Sequence, residues 1–273
     1  TPRTMPDRDM LATMERDLRF IPSDPQRARA LTAEQVEQYN REGYLLPFRR
    51  TDATESADLG DYFDRLLDEV HAAGADSYSI ISGHVKHACI YDIARDERIL
   101  RYVRDLIGDD IVCWGAHFFC KMPGDGKAVS WHQDASYWPL TPSKTVTCWL
   151  AIDTSDADNA CMQFIPKSHV EGHLEYRASD ASENNVLNQT VEDAERFGQP
   201  VDDALEAGEF SLHSDLLLHG SGVNTSDRRR GGLTLRYAAA EVRSLLNWQG
   251  EGIIVSGSDP SGHWGNPPRP EID

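Results

Sequence analysis

The segment SWHQDASYW sets His132 and Asp134 two residues apart. On a strand, side chains at i and i+2 leave the same face, so an imidazole and a carboxylate there converge on one metal ion. The pattern is weak by itself, and the chain holds a second instance in His213-Ser214-Asp215. A third feature has to choose between them. It comes in LLLHGSGVNTSDRRRGGLTLRY, where His219 ends an apolar run and enters a Gly-rich turn, and Arg230 opens the next run. Neighbouring antiparallel strands would present His219 and Arg230 side by side at a barrel mouth. Two His and one carboxylate hold one face of an octahedral Fe(II) and leave positions open for a cosubstrate and O2. A buried Arg offers a fixed fork to the far carboxylate of a dicarboxylic cosubstrate. A structural zinc site would need four ligands and more Cys, and a hydrolytic one would want a general base rather than the Arg. Arg228 and Arg229 read as a solvated loop.

The elements that must position these groups change character along the chain. Residues 1–30 are polar and weakly periodic and read as an N-terminal arm. Thr32 and Gln35 make a capping box, and Gly43 is a stop signal. Leu59, Tyr62, Phe63, Leu66, Leu67 and Val70 recur at helical spacing, and a second amphipathic helix runs from Asp96 to Ile107. After Gly108 come short β-branched or aromatic runs: IVCWGAHFFC, AVSWH, TVTCWLAI, CMQFI, EFSLH, LTLRYAAA and GIIV. Separated by Gly, Pro, Asp and Asn, they predict an antiparallel sandwich or barrel. Residues 170–206 are acidic and aperiodic, too long for a simple connection, and read as a lid or an insertion. The expected organisation is one domain over 31–255, with an irregular tail over 256–273.

Composition narrows the function. The chain has 273 residues, and its 27 Lys+Arg against 45 Asp+Glu give a net charge of −18. That excludes partners recognised through phosphate charge, namely nucleic acid and anionic membrane. No apolar run approaches the roughly 20 residues of a membrane span, and TPRTMPDRDM has no apolar leader segment. Cys89, Cys113, Cys120, Cys148 and Cys161 form no CxxC pair and read as small buried hydrophobes in a reducing cytoplasm.

From LTAEQVEQYNREGYLL to LTLRY the chain resembles the phytanoyl-CoA dioxygenase (PhyH) family of Fe(II)/2-oxoglutarate oxygenases. The matching pieces are GYL, K-x-P-G before WHQD, TCWLAID, DNACMQFIPKSH and HGSGVNTSDRRR. The resemblance implies a mainly β fold with flanking helices, a double-stranded β-helix (jelly-roll, cupin-like) barrel. It makes His132, Asp134 and His219 the iron ligands and Arg230 the partner of the 2-oxoglutarate C5 carboxylate, assisted by Ser221. Trp138, Lys121 and Thr147 match positions that line the cosubstrate pocket. His213 and Asp215 fall to structure, His169 orders the PKSH turn, and Lys167 stands where the family usually has Gly. Relatives that halogenate have a small residue at the position of Asp134, so its carboxylate implies hydroxylation or a related oxidation.

The implied reaction hydroxylates an unactivated C–H bond of a small-molecule metabolite with release of succinate and CO2. The alternatives are desaturation, cyclisation or epimerisation of a natural-product intermediate on the same iron, or a ligand-binding barrel without turnover. Pocket walls are expected from ISGHVKHACIYD, from the strand carrying His117, from Tyr137 and from residues 170–206, with His84, His87, His117 and Arg243 as polar contacts. The acidic segment would favour a cationic or zwitterionic substrate over an acyl-CoA. Oligomeric state is not encoded in any readable pattern.

Overall fold

A computed structural model describes residues 2–273. Helix α1 (Ala33–Glu42) begins with the reciprocal capping box: the Gln35 N–H donates to Thr32 Oγ1 at 3.1 Å and the Thr32 N–H to Gln35 Oε1 at 2.9 Å. Gly43, in the left-handed conformation, ends it, and strand β1 (Tyr44–Arg49) follows. Helix α2 (Ala53–Ala72) starts ahead of its apolar stripe because Asp52 caps it. Helix α3 (Glu97–Ile107) runs from an Asp96 cap to Gly108. Two short helices, Gly83–Lys86 and Ala88–Ala94, occupy ISGHVKHACIYD; neither is long enough to show a period.

The strands of the two main sheets are, besides β1, β2 (Ile111–Lys121), β3 (Val129–His132), β4 (Thr145–Ala151), β5 (Gln163–Phe164), β6 (Val201–Asp202), β7 (Glu209–Ser214), β8 (His219–Ser221), β9 (Arg230–Ala239) and β10 (Ile253–Ser256), and two-residue strands pair Leu140–Thr141 with Arg243–Ser244 and Arg177–Ala178 with Gln189–Thr190. Both main sheets are antiparallel. The larger has the order β1-β7-β4-β9-β2-β10, with Ile80–Ile81 also on β2, and the smaller β6-β5-β8-β3. The period of two divides the faces of the large sheet. Leu233, Leu235 and Tyr237 of β9 and Val146, Cys148 and Leu150 of β4 join the helices in the main core. There Phe63 of α2 stacks on Phe118 of β2 at 4.3 Å. The alternate residues, Thr234 and Arg236 of β9 with Thr147 and Trp149 of β4, line an internal cavity. Every residue of β4 is buried, which is why TVTCWLA carries no charged or strongly polar side chain on either face.

Residues 2–30 are irregular apart from short helical turns, and they are tied down. Arg16 Nη1 donates to the carbonyls of Ala135 and Trp138 at 2.8 and 2.9 Å. Asp105 of α3 does the most: its buried Oδ2 accepts the N–H groups of Arg29, Ala30 and Leu31 at 3.0, 2.8 and 2.8 Å. Asp105→Ala leaves three backbone donors unpaired at about 1 kcal/mol each. A loss of about 3 kcal/mol is expected, read as a melting temperature lower by roughly 6–12 °C.

Residues 170–206 lie against β3 rather than apart from it. The Ser130 N–H donates to Asn185 Oδ1 at 3.0 Å and the Val191 N–H to the Trp131 carbonyl at 2.8 Å. Beyond Ser256 there is no helix or strand, and the tail is held by Arg269 on Asp92 (2.7 Å) and by buried Trp264. No helix among the described residues is long and apolar enough to cross a membrane.

Candidate metal centre

Strands β3 and β8 pair with His132 opposite His219, their ring centroids 4.1 Å apart. Asp134 reaches them by a different route from the one the spacing suggests. β3 ends at His132, and Asp134 opens a 3-10 turn, Asp134–Tyr137. The turn, not strand alternation, brings the carboxylate back to the imidazoles. Two further expectations are corrected. Residues 215–218 form a turn, so His219 begins β8 instead of ending a strand. And β8 and β9 belong to different sheets, so His219 and Arg230 line one cavity from opposite sheets rather than from neighbouring strands.

Asp134 Oδ1 lies 3.4 Å from His132 Nε2 and 3.3 Å from His219 Nε2. The three ligand-type atoms all lie within 4.8 Å of one another. His132 Nδ1 is 2.7 Å from the Ser130 carbonyl and His219 Nδ1 2.9 Å from the Leu217 carbonyl. A carbonyl only accepts, so each Nδ1 donates, and Nε2 is the ring nitrogen left facing Asp134 and a metal. Burial alone would raise the Asp134 carboxyl, but His219, His132 and His213 outweigh it and hold it well below the usual carboxylate range. The carboxylate is therefore charged at neutral pH.

His213, expected to fall to structure, lies outside the ligand-type cluster and supports it. Its Nε2 sits 3.4 Å from Asp134 Oδ2, and Thr147 Oγ1 donates to the same oxygen at 3.4 Å. The pair orients the carboxylate from behind. Asp215 does belong to the scaffold: it accepts the Ser143 hydroxyl at 2.6 Å. His169 is buried and bonds the Asn40 carbonyl at 2.8 Å, pinning the PKSH turn to α1. Lys167 has φ +71, a conformation that glycine adopts without strain.

The cavity has a volume of about 970 Å³. It is lined by the three ligand-type residues and by Arg230, Ser221, Thr147, Trp138, Tyr137 and His117. Arg230 is 4% exposed; its Nη1 donates to the Ala160 carbonyl at 2.5 Å, while its Nε is buried with no partner among the described residues. Trp149 lies beneath the guanidinium, 5.5 Å to the ring centroid. A side chain at Gly232 would collide with that indole, so glycine is what lets the tryptophan lie flat there. Trp149, not Trp138, is thus the indole at the Arg230 end. Trp138 stands edge-on to Trp114 at 4.5 Å, beside Arg236.

Four expected contacts, Lys121, His84, His87 and Arg243, lie off the cavity wall. Lys121 is opposite Arg230 in the β2–β9 register, but its ammonium donates to the Gly222 carbonyl; burial and the neighbouring Arg230 push it down to about 7. His84 is fully buried, with Nε2 on the Glu251 carbonyl at 2.6 Å. His117 does line the cavity, although its Nε2 is taken by the Tyr78 carbonyl at 2.9 Å. Residues 170–206 contribute Asn185, Val186, Leu187 and Asn188 to the wall and none of their acidic side chains.

Residues 25–232 match the family model for phytanoyl-CoA dioxygenase (PhyH). The chain belongs to the phytanoyl-CoA dioxygenase family. Within that family of Fe(II)/2-oxoglutarate oxygenases, it is 30% identical over 153 residues to the peroxisomal phytanoyl-CoA dioxygenase of Bos taurus, covering 54% of this chain and 45% of that protein. It is 29% identical over 188 residues to a probable alpha-ketoglutarate-dependent hypophosphite dioxygenase of Stutzerimonas stutzeri, covering 64% of this chain and 63% of that one. The chain thus spans about half the length of these curated relatives. Among solved structures, the non-heme monooxygenase ThoJ superposes with a TM-score of 0.73 at 25% identity, over 87% of this chain and 88% of its own.

Proposed function

We propose that this member of the phytanoyl-CoA dioxygenase family is an Fe(II)/2-oxoglutarate-dependent dioxygenase, built on a double-stranded β-helix, that hydroxylates a C–H bond of a small molecule. The observation that carries the reading is the arrangement around one cavity of two imidazole Nε2 atoms, an ionised carboxylate and a buried guanidinium with an unpartnered Nε. The donor set fits the metal: two imidazole nitrogens and one carboxylate are the ligand types of an open Fe(II) site. His132, Asp134 and His219 would hold the iron, and the chemistry it would supply is coupled oxidation by O2 of 2-oxoglutarate to succinate and CO2 and of the substrate to a hydroxylated product.

The chain's own residues do the rest. Arg230 supplies a forked, permanently charged partner for the distal carboxylate of the cosubstrate. Ser221, two residues past His219 on β8, lines the same cavity and adds a hydroxyl donor. Trp149 supports the guanidinium from below. Thr147 and His213 fix the carboxylate of Asp134, and the Ser130 and Leu217 carbonyls fix the two imidazole tautomers. The apolar walls exclude water and hold the substrate near the metal set.

The test is turnover of the cosubstrate. Under air, with Fe(II) and ascorbate, the protein should convert 2-oxoglutarate to succinate slowly without added substrate, and a chelator should stop it. Iron bound stoichiometrically with no succinate formed, whatever small molecule is offered, would favour a ligand-binding barrel without turnover.

A further inference from the structure

The reading above uses one end of β9. The other end holds a second arginine. Arg236 is six residues beyond Arg230, on the same face of the strand and about 20 Å further along it at 3.4 Å per residue. It also lines the cavity. Its guanidinium lies beside a pair of touching indoles, 5.5 Å from the Trp114 centroid and 5.6 Å from that of Trp138. Its Nε is buried with no hydrogen-bond partner among the described residues, while the side chain as a whole stays partly accessible through the cavity. Gly115 makes room for it: a Cβ there would stand 3.3 Å from Arg236 Cδ and 3.8 Å from Nη1.

Among the described residues no carboxylate lies within ion-pair distance of this cation. Asp134, the acidic group with most influence on it, directs both its oxygens to His132, His213 and His219. Arg3 brings a second positive charge to the same end, with its guanidinium 5.6 Å from the Trp114 centroid and 4.9 Å from that of Trp248. Arg3 is paired with Glu251 at 2.9 Å; Arg236 is not. A deep cation without a counter-ion is costly unless a charged partner completes it.

The position says which partner. Arg236 is opposite Thr147 in the β9–β4 register, and Thr147 touches Asp134. An anion held by Arg236 therefore sits beside the ligand set, on the side away from Arg230, against aromatic walls. We propose that Arg236 is the specificity-determining residue for the oxidised substrate, and that it binds an oxyanion head group, a carboxylate or a phosphonate, carried on an apolar body lying against Trp114 and Trp138. The proposal rests on the oxygenase reading for the location of the reacting carbon. It reverses the preference for a cationic substrate expected from the acidic composition of residues 170–206, whose charges do not face the cavity.

The probes are 3-phenylpropionate, 3-phenylpropylphosphonate and the neutral isostere 3-phenylpropionamide, titrated by tryptophan fluorescence with 2-oxoglutarate saturating and oxygen excluded. One or both anions should bind the wild type about tenfold or more tighter than the amide, as expected for a charge-assisted hydrogen bond, and the tighter of the two identifies the head group. Arg236→Met should erase the preference, Arg236→Lys should retain part of it, and Arg230→Ala should leave it in place. The wild-type comparison of acid with amide does not depend on any variant folding. Equal binding of all three probes would overturn the proposal. So would a preference lost in Arg230→Ala and kept in Arg236→Met, or an Arg236→Met protein that loses affinity for 2-oxoglutarate instead of for the probes. Failure of the oxygenase reading has a different signature: no 2-oxoglutarate bound by the iron-loaded wild type, with the anion preference at Arg236 intact.

Discussion

His132→Ala should lower Fe(II) affinity by at least about 100-fold and abolish succinate formation, with the fold intact. The magnitude follows from what lies around the residue. Residues that merely orient a metal ligand typically contribute 10–100-fold to affinity, and His132 is placed as a ligand. Its Nδ1 is committed to the Ser130 carbonyl and its Nε2 faces Asp134 Oδ1. Truncation removes one of three donors and leaves the Asp134 charge with less compensation. His213→Ala is the matched control. His213 touches the other carboxylate oxygen and belongs to no ligand set, so its loss should reduce affinity by about 10–100-fold at most. Anaerobic Fe(II) titration with a competing chelator measures both. Equal losses in the two variants would mean that His213 is itself a ligand.

Arg230→Ala should weaken 2-oxoglutarate on the order of 100-fold while Fe(II) binding stays normal. A buried charged pair truncated on one side costs about 2–5 kcal/mol, and 3 kcal/mol is about 100-fold in Kd. Arg230→Lys should recover only part, because a lysine carries the charge without the planar fork. The gap beneath the shortened side chain, over Trp149, adds to the loss. The check is the concentration of 2-oxoglutarate that half-saturates succinate formation. An Arg230→Ala protein with unchanged half-saturation would move the cosubstrate anchor elsewhere, and Arg236 would then be the first place to look.

Legibility in the sequence followed the reach of each physical rule. Caps and apolar stripes are local, so Thr32, Gln35, Asp96 and Gly108 marked helix ends where the structure has them. The short helices around His84 and His87 were invisible because neither spans enough turns to show a stripe. The ligand-type cluster could be read although its local geometry was wrong: the spacing of His132 and Asp134 suggested a strand face, and a turn supplies the convergence. The contact of His213 with Asp134 was hidden for the converse reason. His213 lies near the end of β7, and only the pairing of β7 with β4 at Thr147 brings it to Asp134. Trp149 and Arg236 were recoverable in principle. They share strand parity with Thr147 and Arg230 respectively, so the same alternation that points one residue into the cavity points the other. Lys121 and His84 show the limit: whether a polar side chain lines a cavity or bonds a carbonyl behind the wall depends on neighbours distant in the chain.

The most direct test of the central claim is spectroscopic. Fe(II) and then 2-oxoglutarate are added to metal-free protein without oxygen, and the visible region is followed for the weak charge-transfer absorption of a bidentate 2-oxoglutarate–iron chelate. The account predicts that the band appears at one equivalent of iron and saturates with 2-oxoglutarate in the wild type. It also predicts no band for His132→Ala, and for Arg230→Ala a band only at much higher 2-oxoglutarate. Stoichiometric Fe(II) binding with no band at any concentration of 2-oxoglutarate would contradict it.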